Sequence, residues 1–178
     1  IGAYNTAIGR IALVANTTGN SNTAVGSGSL YGNIVGSNST AIGADALHVS
    51  TAGNNTAVGA FSLATNTTGT PNDAFGYYAL YSNTTGAYNV AVGYQSLYAN
   101  TTGVNNNAFG YGALNTNQTG SYNSAFGTQS LVTNTGSANC AFGQGALQLQ
   151  GNASNNNAFG YQALYNNTTG TPNDAFGR

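Results

Sequence analysis

The side chains able to act as acids, bases or nucleophiles in this sequence are few enough to name: Asp45, His48, Asp73, Cys140 and Asp174 are almost the whole stock. A nucleophile needs a base within hydrogen-bond reach, and His48 and Cys140 show no spacing that suggests a pair. There is no Lys, hence no Gly-Lys-Ser/Thr phosphate loop, and no Gly-x-Ser-x-Gly elbow. Three Asp cannot supply the repeating ligands of a calcium-binding solenoid, and Asp45 and His48 occur in one repeat only, where a solvated corner accounts for both. No catalytic residue, metal site or cofactor is expected, and an enzyme is not. Arg10 and Arg178 are the only side-chain cations apart from His48, and the net charge is −1. A chain so poor in positive charge cannot neutralise a phosphate backbone or dock on anionic lipid. No apolar run approaches the ~20 residues of a membrane helix.

What remains is aromatic, amide and hydroxyl chemistry at recurring positions. Tyr77, Tyr94, Tyr111 and Tyr161 share one place in a repeat, and Tyr81, Tyr98 and Tyr165 share another with Tyr31. Rings stacked in this way form an outer ladder that suits adhesion to carbohydrate, or that only steadies neighbouring repeats. Asn-x-Thr/Ser at Asn16, Asn66, Asn83, Asn100 and Asn167, and also at Asn38, Asn54, Asn117 and Asn152, makes each an N-glycan acceptor candidate. The alternatives are plain turn chemistry and, for several of these Asn, a place in an inward Asn ladder. Thr pairs such as Thr17-Thr18 and Thr84-Thr85 invite an ice-binding reading, but adjacent strand residues face opposite ways and precede a Gly.

The elements that position these residues follow from an internal repeat. The Gly closing phrases such as Asn-Thr-Ala-Ile-Gly falls at 9, 26, 43, 59, 76, 93, 110, 127, 143, 160 and 177, so the spacing is 17 with two single deletions. Leu follows four residues later in the first ten copies, from Leu13 to Leu164. Seventeen residues are too few for a helical-pair repeat. Two Gly and clustered Asn and Thr per copy also disfavour helix. Short apolar groups split by Gly and Asn-Thr-Thr-Gly read as short strands between tight corners. The expected fold is all-β: one parallel β-solenoid of about ten 17-residue coils, stacked ~4.8 Å apart. Asn four before the reference Gly, and seven after it, is expected to ladder from coil to coil, or else only to supply left-handed turns.

Within Ala7-Ile8 and its copies, alternation sends one side chain in and one out. The larger member is the natural core filler. That reading places Ala7, Ala24, Ala41, Ala57, Ala74, Ala91, Ala108, Ala125, Ala141, Ala158 and Ala175 outside. A solvent-facing column is free to become polar, and this one is always Ala. A lateral interface explains it; corner geometry or recent duplication are the alternatives.

The phrases Asn22-Thr-Ala-Val-Gly26 and Asn55-Thr-Ala-Val-Gly59, each followed by a small residue and Leu, resemble the head repeats of trimeric autotransporter adhesins and the Asn/Thr/Gly repeats of phage-type tail fibres. The resemblance implies a left-handed β-roll, side-by-side packing of chains, and a place outside the cell or on a cell or virion surface. The expectation is a structural or adhesive rod, partnered by copies of itself as trimer, bundle or end-to-end filament, with carbohydrate or a cell surface as its target. A monomeric binding module for ice or glycan is the rival. The chain lacks Met, and residues 1–178 are expected to be one repeat domain cut mid-repeat from a longer array.

Overall fold

A computed structural model describes residues 2–177; Ile1 and Arg178, where the array is expected to be cut, lie outside the described residues. Each repeat contributes one strand of three or four residues. They are β1 (Thr6–Ile8), β2 (Thr23–Val25), β3 (Thr40–Ile42), β4 (Asn55–Val58), β5 (Asn72–Phe75), β6 (Asn89–Val92), β7 (Asn107–Phe109), β8 (Ser124–Phe126), β9 (Cys140–Phe142), β10 (Asn157–Phe159) and β11 (Asp174–Phe176). All pair in parallel, in sequence order, in one 11-stranded sheet. Ala faces Ala at every step, from Ala7↔Ala24 to Ala158↔Ala175. The chain is therefore a parallel β-solenoid of about ten turns.

The wall opposite this sheet is built from stacked turns rather than from a second set of strands. Gly9 through Gly160 take φ of 126–142°, and the core Leu residues from Leu13 to Leu164 take 49–54°. The residue midway between them is also left-handed, as at Asp45 (52°) and Phe61 (58°). Alternating hands tighten the chain into a bend that strand geometry does not allow. Coil-to-coil hydrogen bonds persist there: Leu97 N donates to Ala113 O at 2.9 Å, and Gln95 N to Tyr77 O at 3.1 Å.

This bend decides which side chains are inside. In the Ala46-Leu47 pair both residues are fully buried, because the turn aims both inward. Leu from the turn wall then fills the narrow interior, and only a methyl fits against it from the sheet. Ala24, Ala41, Ala57, Ala74, Ala91, Ala108, Ala125, Ala141 and Ala158 all have 0% exposure and lie in the same core cluster as the Leu column. The expected outward Ala column is thus corrected: it is core. Ala7 is exposed and Ala175 half-buried because they sit in the terminal strands, each paired on one side only.

The two Asn columns complete the interior, at 0–1% exposure along most of their length. In one, Asn83 Nδ2 donates to Asn66 Oδ1 (2.7 Å), Asn100 to Asn83 (2.8 Å) and Asn117 to Asn100 (3.2 Å). In the other, Asn89 N donates to Asn72 Oδ1 and Asn106 N to Asn89 Oδ1, both at 3.0 Å. The amides therefore satisfy backbone and each other, which buried polar groups require. The first ladder is incomplete over its first coils: Asn16 Oδ1 is buried without a partner although Asn33 follows it, and Asn33 Oδ1 is likewise unpaired where Ser50 replaces Asn. Ser50→Asn would restore a donor there. An increase of about 1 kcal/mol is expected from relieving one unsatisfied acceptor, read as a raised midpoint in thermal denaturation.

Candidate functional site

With Ala inside, the alternation puts its large neighbour outside. The outward column reads Ile8, Val25, Ile42, Val58, Phe75, Val92, Phe109, Phe126, Phe142, Phe159 and Phe176. Ile8 is 60% exposed, and the interior members Ile42, Phe75, Phe109 and Phe142 are 36–41% exposed. From Phe109 to Phe176 the rings stack in an unbroken row, centroids 4.5–5.2 Å apart and nearly coplanar in tilt. Beside this stripe runs a mixed outward column that includes Thr6, Asp73, Val90, Asn107 and Cys140. The contrast is informative. One exposed column varies freely, and the next is apolar at every rung.

Large side chains carry ~150–250 Å² each, so eleven partly exposed ones offer on the order of 700 Å² in one strip. The largest patch on a typical monomer is ~300–600 Å², and each partner of a standard interface buries ~800 Å².

The tyrosines form two stacks rather than one long ladder. Tyr77, Tyr94 and Tyr111 stack at 5.7 and 5.3 Å. Tyr81 stacks on Tyr98 at 5.5 Å. Tyr161 lies three coils past Tyr111, with Thr128 and Gln144 between; Tyr165 lies four coils past Tyr98, with Asn115, Val132 and Gln148 between. Stacking turns ring faces along the rod, so the inner rings offer solvent mainly edges and hydroxyls. A hydrogen bond involving Tyr77 raises the Tyr78 phenol above its ordinary range.

The glycan acceptor candidates divide by burial. Asn66, Asn83 and Asn100 are fully buried with Nδ2 bonded inside the coil, and Asn16 and Asn167 are half-buried with Nδ2 on Gly19 O and Gly170 O. Their amides are structural, which corrects the candidate assignment. Asn38, Asn54 and Asn152 are the exposed acceptors. In the Thr pairs the second members, Thr18, Thr68, Thr85 and Thr102, are exposed. The first hydroxyl of each of these pairs is spent inside the stack, as where Thr84 Oγ1 donates to Thr101 O at 3.0 Å and Thr67 Oγ1 to Thr84 O at 2.9 Å.

Cys140 is half-buried on the sheet, and burial pushes its thiol above the usual range, away from the thiolate a nucleophile needs. Asp45 and His48 do meet, Oδ1 to Nδ1 at 3.0 Å. Among the described residues no three His, Cys, Asp or Glu gather as a metal site. No family model, curated protein or solved structure matches this chain. Its functional assignment therefore rests on the surface just described.

Proposed function

We propose that this chain is a structural rod of an extracellular fibre, packing laterally against copies of itself through the Ile/Val/Phe stripe. The observation that carries the reading is a column that faces solvent at every rung yet is apolar at every rung. Isolated exposed apolar residues need no explanation, whereas a contiguous strip of this area marks an interaction surface. A second copy is the fitting occupant because it presents the same ~4.8 Å repeat, so side chains of one strip can seat between rungs of the other along the whole length. The near-absence of charge removes the repulsion that keeps ordinary rods apart. The sequence resemblance to adhesin heads and tail-fibre repeats supports a place on a cell or virion surface, with adhesion as the role of the assembled fibre.

Sedimentation of the full chain tests this. The wild type is expected to sediment as an oligomer. The triple variant V25K/V58K/V92K puts a charge on alternate rungs, spares every Phe stack, and is expected to run as a monomer with a melting midpoint within a few degrees of wild type. A wild type that remains monomeric at its highest soluble concentration overturns the assembly reading and favours the single-rod binding module.

A further inference from the structure

The turn wall carries a second feature, unconnected with the sheet stripe. The residues one after each core Leu form a column: Val14, Tyr31, His48, Ala64, Tyr81, Tyr98, then Asn115 onward. Tyr31 stacks on His48 at 4.9 Å and 5°. Tyr81 stacks on Tyr98 at 5.5 Å and 7°. Between these two ring pairs stands Ala64, whose side chain ends at Cβ. His48 and Tyr81 are two rungs apart, so about 9.6 Å separates their levels. One flat ring placed midway would lie ~4.8 Å from each, which matches the column's own ring spacing.

The space is open. A cavity of about 270 Å³ lies here, lined by Asp45, His48, Val49, Phe61, Ala64 and Tyr81, with Thr65 beside them. Its side wall is held in place, since Phe61 stacks on Tyr78 at 5.1 Å and meets the Tyr77 ring at 6.1 Å. The one carboxylate in the lining is Asp45. Its Oδ1 lies 3.0 Å from His48 Nδ1, which is also 3.1 Å from Gly28 O. Both neighbours are acceptors, so Nδ1 carries the proton. That fixes the imidazole plane and leaves Asp45 Oδ2 without a hydrogen bond from the described residues.

We infer that this slot binds one planar aromatic ring bearing a cationic amine, stacked between His48 and Tyr81 with its ammonium on Asp45. The ring repeats the ladder's missing member, and the amine complements the one carboxylate in the lining.

Tryptamine is a suitable probe, with indole-3-acetate as its anionic counterpart and a methyl glucoside as a sugar control. Calorimetric titration of the full chain with tryptamine is expected to give saturable binding of one ligand per chain. Asp45→Asn should weaken it at least about tenfold, by loss of a charge-assisted contact. Ala64→Tyr fills the slot and is expected to abolish binding while raising the melting midpoint. Phe61→Ala, which removes the wall without entering the slot, gives an independent loss. Three results overturn the inference: no tryptamine binding at millimolar concentration, binding unchanged in A64Y, or indole-3-acetate or the glucoside binding as well as tryptamine. Because the slot lies on the turn wall, these outcomes are distinct from failure of lateral assembly, which sedimentation reads.

Discussion

Gly93→Ala is expected to cost the rod roughly 3–5 kcal/mol, by combining a strained backbone with a contact that has nowhere to go. Gly93 sits at φ +127°, and a Cβ there would lie 2.7 Å from Gly110 O and 2.8 Å from Gly110 C. Those atoms are backbone of the next coil, held by the coil-to-coil bond from Gly110 N to Val92 O at 2.8 Å. Relief therefore requires the sheet to part at β6–β7. The control is Gly112→Ala, at φ +63° with its nearest atom, Gln129 Cγ, at 3.9 Å. That column already holds Asp45, Phe61 and Gln95 at positive φ, so a cost of about 1 kcal/mol is expected from conformation alone. Urea unfolding of the two variants separates the effects. Equal midpoints would mean that the close approach of successive coils contributes nothing to the demand for glycine.

The coil length, the parallel stacking and the Asn ladders were legible in the sequence because each depends on position within the repeat, and the repeat is plain. Which member of Ala7-Ile8 faces inward was not. Alternation has two phases, and side-chain size favoured the wrong one. The deciding fact lies on the opposite wall, where Leu97 and its copies hold a left-handed backbone that no local residue type announces. That bend turns Leu and the small residue before it inward together, and it leaves room for only a methyl from the sheet. Burial in the core accounts for the invariance of the Ala column, so the interface read from it falls. The one proposed above rests instead on the neighbouring column of Val25, Phe75 and Phe142, which varies among Ile, Val and Phe but stays apolar. The missing ring at Ala64 was visible in the aligned column, but its meaning needed the ring spacings on either side. The burial of Asn66, Asn83 and Asn100 follows from their place in the ladder column, seven after the reference Gly, in which Asn38, Asn54 and Asn152 do not lie.

Ala91→Lys and Val92→Lys, neighbours in one strand, are expected to fail in opposite ways. Ala91 has no exposed surface and lies between Ala74 and Ala108 in the sheet, within the cluster that contains the Leu column. A lysine there must bury an unpaired ammonium or drive the sheet off the turn wall, and either costs several kcal/mol. The expected outcome is loss of cooperative folding, seen as a collapsed thermal transition at every protein concentration. Val92, half-exposed on the outer face, can carry the same charge into water, so the coil should stay folded while lateral packing weakens. The pair of measurements assigns each column to its side without any structure of the assembly. If Ala91→Lys instead yields a folded monomer and Val92→Lys an unfolded chain, the phase of the alternation is reversed, and the Ala column returns to the outside.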